Sequence, residues 1–86
     1  MLIEFFGKEC PHCLAMEPLV KKLENSGIPV KRYEVWHNAD NASLMERYDP
    51  DGEFCGGVPL FINEDTGKRI CGEASYEDIL RLAEGK

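Results

Sequence analysis

The sequence predicts a single α/β domain over residues 1–86, in the order β-α-β-α-β-β-α, with a central four-stranded mixed sheet flanked by three helices. Three observations carry this. Short apolar runs alternate with segments of helical periodicity through the first half of the chain, which calls for a parallel β-α-β unit with a right-handed crossover. Two further strand-like runs follow, separated only by a four-residue polar turn, so they pair as an antiparallel hairpin. A last amphipathic segment closes the chain, and 86 residues leave no room for a second core.

Leu2-Ile3-Glu4-Phe5-Phe6 is an apolar run broken by one acid and stopped at Gly7, the pattern of a buried strand. From Pro11 to about Asn25, Met16, Leu19, Val20 and Leu23 recur at helical spacing, and Asn25-Ser26-Gly27 supplies the stop. Pro18 lies inside this helix and bends it. Val30 to Trp36 is β-branched and aromatic and reads as the second strand, with Tyr33, Trp36 and His37 assigned to it or its end and given no chemistry. Asn38 to Tyr48, which carries Leu44, Met45 and Tyr48 behind several Asn and Asp capping candidates, reads as a short helix. Asp49-Pro50-Asp51-Gly52 breaks it, and Asp49 to Gly57 reads as a surface loop around Cys55. Pro59 to Asn63 and Lys68 to Cys71 form the hairpin around Glu64-Asp65-Thr66-Gly67. Ser75 caps the last helix, with Asp78 placed for a capping box and Ile79, Leu80 and Leu82 facing inward.

Composition narrows the function. The chain is 43% hydrophobic and 30% charged, which is enough apolar material for a packed core. Ten basic against sixteen acidic residues give a net charge of −6, which argues against nucleic acid or an anionic membrane as the main partner. No apolar run reaches the ~20 residues of a membrane span, and Met1 leads into a strand with no basic region or cleavage site, so a cytoplasmic location is expected. With four cysteines and no export signal, a close Cys pair is expected to be catalytic or metal-binding more often than structural.

That pair is Cys10-Pro11-His12-Cys13, at the junction of the first strand and first helix. Pro11 suits the first helical position, so Cys10 falls near the N-cap, among unpaired N–H groups at the positive end of the helix dipole. Such a setting favours thiolate over thiol, and His12 beside it is expected to push the same way. Cys13, one turn in, is expected to be the less exposed sulfur that closes the disulfide.

With this element order and a Cys-x-x-Cys at this junction, the whole chain resembles the thioredoxin-like superfamily and is close in size to a glutaredoxin. Pro18, five residues after Cys13, matches the helix-bending proline of thioredoxins. Val58-Pro59 opens the hairpin where that family places a cis-proline facing the redox site and holding substrate backbone. Glu4, six residues before Cys10, stands where thioredoxins carry a buried acid and protein disulfide isomerase domains a buried glutamate; the likeness implies a proton carrier for Cys13. Cys71-Gly72 takes the place of the Gly-Gly that ends the last strand of glutaredoxins. The chain also departs from the family: Glu9 replaces the tryptophan before the first cysteine, Gly57 replaces the threonine of Thr-Val-Pro, and Lys8 is one position late for the glutaredoxin lysine.

The resemblance implies a monomeric thiol–disulfide oxidoreductase, using a Cys10–Cys13 dithiol on protein disulfides through a mixed disulfide. Val58, Pro59 and Pro11 contact substrate, and Glu4 and His12 tune or carry protons. No metal and no cofactor beyond the redox-active disulfide is called for, and a reductase or glutathione recycles the pair. Two alternatives stay open: a glutathione-dependent glutaredoxin, and a non-enzymatic metal or iron–sulfur carrier. Cys55 and Cys71 are extra thiols, Cys55 a candidate second resolving sulfur and Cys71 a small buried hydrophobe.

Overall fold

A computed structural model describes residues 1–86. The elements are β1 (Leu2–Phe6), α1 (Pro11–Asn25), β2 (Val30–Glu34), α2 (Ala39–Tyr48), β3 (Leu60–Asn63), β4 (Arg69–Cys71) and α3 (Tyr76–Ala83), with a single 3₁₀ turn at Pro50–Gly52. The strands lie in the order β2-β1-β3-β4. β1 and β2 are parallel, with Leu2 opposite Val30 and Phe6 opposite Glu34. β3 is antiparallel to β1 and to β4. The predicted order and sheet are therefore the observed ones.

Strand alternation divides β1 between two layers. Leu2 packs with Met16, Val20 and Leu23 of α1, Phe61 of β3, and Ile79 and Leu82 of α3. Ile3 and Phe5 point to the other face, where Leu60 and Ile62 join them under Leu44, Met45 and Tyr48 of α2. Glu4 alternates with Ile3 and Phe5, so it shares Leu2's face with α1, and it is fully buried there. The Cys10–Cys13 segment leaves the end of this central strand directly, because Gly7 stops β1 and the Cys10 N–H returns to the Gly7 carbonyl at 3.1 Å.

The helices begin where capping predicts. The Asn38 side chain accepts the Asn41 N–H at 3.0 Å, and Ser75 accepts the Asp78 N–H at 3.1 Å. At α3 only this half of the capping box forms, and Leu80 is half-buried rather than fully inside. The hairpin turn closes through the Gly67 N–H to the Asn63 carbonyl at 2.8 Å, with Gly67 at φ 76°, a backbone conformation glycine adopts without strain.

The second strand is shorter than its composition suggests, ending at Glu34 rather than Trp36. The Glu34 carboxylate accepts the N–H groups of Trp36 at 3.2 Å, His37 at 2.7 Å and Lys8 at 2.9 Å, which turns the chain away from the sheet. Val35 still donates to the Phe6 carbonyl at 2.8 Å, but the β-branched and aromatic run continues past the point where partners exist.

Candidate active site

Cys10 is the N-cap of α1, and Pro11 occupies the first helical position, as the spacing predicts. The Cys10 sulfur accepts the Cys13 N–H at 3.4 Å and donates to the Val58 carbonyl at 3.7 Å. The Cys13 sulfur accepts the Gly7 N–H at 3.5 Å. Both cysteines are unpaired with any other sulfur. Burial, reinforced by the hydrogen bond with Cys10, pushes the Cys13 thiol up to about 12, so it is held as a neutral thiol.

Cys13 is the less exposed of the two, but by little: Cys10 is 3% exposed and Cys13 1%. Cys10 is thus nearly as covered as Cys13, with the Val58 carbonyl against its sulfur. The peptide bond between Val58 and Pro59 is cis, and Pro59 is buried. A groove of about 400 Å³ includes Val58 in its wall, with Gly57, Gly56, Asp49, Met45 and Trp36 among its other lining residues. Neither sulfur reaches it; Val58 is the shared wall.

Glu4 lies under α1 as the spacing implies. Its Oε1 accepts from Arg32 Nε at 2.8 Å, and its Oε2 has no partner. Burial pushes its carboxyl above the ordinary value of 4.5, against the opposing pull of the Arg32 hydrogen bond and charge. His12, expected to act on the thiols, instead faces solvent, where Nδ1 meets Glu73 Oε2.

Cys55 and Cys71 are corrected outright. They are joined to each other in a disulfide across 16 positions, so neither is a free or resolving thiol, and Cys71 is exposed rather than buried. Pairing follows from the sheet: Cys71 stands opposite Leu60 on β4, and the Cys55 loop folds back over the same face. The bond also withdraws two of the four sulfurs from any metal site, and no group of three or more His, Cys, Asp or Glu side chains converges as a ligand set.

Several residues of the site are not apparent from the sequence. His37 Nε2 lies 2.6 and 2.9 Å from the two oxygens of Glu9, the residue before Cys10. The hydrogen bond and the opposite charge push His37 above 6.5, and the same hydrogen bond holds Glu9 below 4.5. Trp36 lies across Gly7 so closely that a Cβ there would run into its ring, yet it stays 51% exposed. Asp49, 3% exposed, accepts the N–H groups of Phe54 at 2.8 Å, Cys55 at 3.0 Å and Gly56 at 3.2 Å, which lower its carboxyl below 3.8. The available signal was the habit of Asp to bind backbone N–H groups a few residues on, in a loop rich in glycine.

Among solved structures, the chain aligns over 99% of its length with 96% of a threonine-to-alanine mutant of the thioredoxin-like protein BC3987, at a TM-score of 0.66 and 15% identity. No protein-family model matches the chain. No curated protein sequence matches it either. No helix is long and apolar enough to cross a membrane.

Proposed function

We propose that this chain, which has the thioredoxin-like fold, is a thiol–disulfide oxidoreductase acting on protein disulfides. The observation that carries the reading is the pair itself: a sulfur at the N-cap of α1, with a backbone N–H aimed at it and a second free thiol one turn deeper, beside a cis-proline segment. An anion forming on Cys10 is met by a donor already in place, which is what a nucleophilic sulfur requires.

In the reducing direction, Cys10 thiolate attacks one sulfur of the substrate disulfide. A Cys10–substrate disulfide forms, and the other substrate sulfur leaves as a thiolate that takes a proton. Cys13 then loses its proton, attacks the Cys10 sulfur, and releases the second substrate thiol. The substrate gains two electrons, and the protein ends as the Cys10–Cys13 disulfide. Because burial holds Cys13 neutral, the second step needs a base. Glu4, buried on the same side of the sheet with one oxygen unpartnered, is the group suited to it. The groove beside Val58 is the seat for the polypeptide carrying the disulfide, with exposed Trp36 on its wall. The reaction needs no cofactor beyond the dithiol, and a reductase or glutathione would restore it.

The test is a trapping experiment. Cys13→Ser protein mixed with a protein disulfide is expected to accumulate a mixed disulfide on Cys10, identified by peptide mass. Absence of that adduct, with the substrate still reducible by a small dithiol, overturns the assignment.

A further inference from the structure

The sulfur that must meet substrate is covered, and the cover is a segment under restraint. Val58 closes over Cys10 with its carbonyl at 3.7 Å from the sulfur. On the N-terminal side of Val58, Asp49 gathers three N–H groups from Phe54 to Gly56, and Cys55 is bonded to Cys71. On the C-terminal side, the Pro59 carbonyl accepts the Gly72 N–H at 2.8 Å, one residue from Cys71. The Cys55–Cys71 bond therefore ties together the two ends of the strap that seals Cys10. Between Cys55 and Val58 stand only Gly56 and Gly57, which supply no side chain to hold the strap once the bond is gone.

We propose that Cys55–Cys71 is a second redox site, reducible by a dithiol, whose state sets access to Cys10. This rests on the reading of Cys10 as the attacking sulfur. Cys71 is exposed and Cys55 half-buried, so the reductant's thiolate attacks the Cys71 sulfur and Cys55 leaves as a thiolate, taking a proton. The reductant's second thiol, on losing its proton, attacks its own sulfur in the mixed disulfide and releases Cys71 as a thiolate that is then protonated. Two electrons pass to the protein, which gains the Cys55 and Cys71 thiols, and the reductant becomes its own disulfide. With the bond closed, Val58 stays seated on Cys10; with it open, the strap lifts by local opening while the sheet and helices persist.

The test uses Cys13→Ser protein, in which Cys10 cannot be consumed by internal disulfide formation. Cys10 alkylation by iodoacetamide is timed by peptide mass spectrometry with Cys55–Cys71 intact, and again after reduction with dithiothreitol and its removal. The rate at Cys10 is expected to rise about tenfold, as when local opening becomes easier by ~1.4 kcal/mol. Cys55→Ser with Cys71→Ser in the same background is expected to match the reduced protein, and Asp49→Asn to move the rate the same way with the bond intact. Equal rates within about a factor of two in all forms overturn the proposal. So does outright unfolding on reduction by far-ultraviolet circular dichroism, because a latch must release with the fold intact. Faster Cys10 alkylation without any substrate adduct would instead overturn the oxidoreductase reading and leave the latch standing.

Discussion

Arg32 holds Glu4 through Nε at 2.8 Å and reaches Glu17 with its terminal nitrogen at 2.6 Å, so one guanidinium links a sealed carboxylate to a half-buried one on α1. The sealed member keeps one oxygen free, on the face of β1 that lies under α1. A carboxylate with this environment binds its proton more tightly folded than unfolded. Its contribution to stability therefore declines as pH rises above 4.5 through its raised folded value.

Glu4→Gln removes that titration. The variant is expected to lose less stability than the parent between acid and neutral pH, as read by urea unfolding. The same change is expected to prolong the Cys10 mixed disulfide roughly 10²-fold, the lower end of a proton-transfer contribution, without slowing its formation. An unchanged lifetime removes Glu4 from the mechanism.

Cys13 is held as a thiol by burial first and by Cys10 second. In Cys10→Ser protein, where burial still acts but the Cys10 sulfur is gone, alkylation of Cys13 at mildly alkaline pH is expected to run at least about tenfold slower than for a free thiol, whose pKa is about 8.5. An acid whose folded pKa is raised loses stability as pH climbs, so the folded chain is expected to weaken progressively from 9.0 toward about 12. Rapid labelling of Cys13 in the folded variant would contradict this.

Glu9 and His37 form an exposed pair one residue from Cys10. His37 has a raised folded pKa, so its contribution is complete below 6.5 and is lost as pH rises through the raised value. Glu9 contributes above 4.5 and loses that as pH falls through its lowered value, so the pair supports the fold between these limits. His37→Ala leaves an unpaired carboxylate beside Cys10 and is expected to slow its attack roughly twofold, the scale of exposed pairs, with the difference vanishing at high salt. A proton NMR titration placing His37 at its ordinary value would refute the pairing.

Removing the Cys55–Cys71 bond by double substitution to alanine frees a loop of 17 residues in the unfolded chain and is expected to cost about 3 kcal/mol in urea unfolding. The buried clusters keep all their own side chains, and only the packing of Cys55 against Ile3, Phe5, Leu60 and Ile62 is trimmed. A cost near zero would mean that the unfolded chain gains little freedom from losing the bond.

Much of this molecule is local in origin and so was readable in one dimension. The alternation of β1, the helical spacing of Met16, Val20 and Leu23, the proline after Cys10 and the caps at Asn38 and Ser75 each act within a few residues. They place the dithiol at a helix mouth before any tertiary contact is known. Glu4's place on Leu2's face belongs here as well, since strand alternation has a period of two, whereas its burial follows from β1 lying between β2 and β3.

What only the tertiary structure decided lies between residues distant in sequence. The partnership of Cys55 with Cys71, the reach of His37 to Glu9 and of Arg32 to Glu4, and the seat of Val58 on Cys10 depend on how strands and loops come to lie side by side. The residue types permit many such pairings, and four cysteines alone admit three full connectivities. The chain's local preferences put a cysteine at the N-terminus of α1; the packing of β3 and β4, with the loop between α2 and β3, sets the Val58 carbonyl against it.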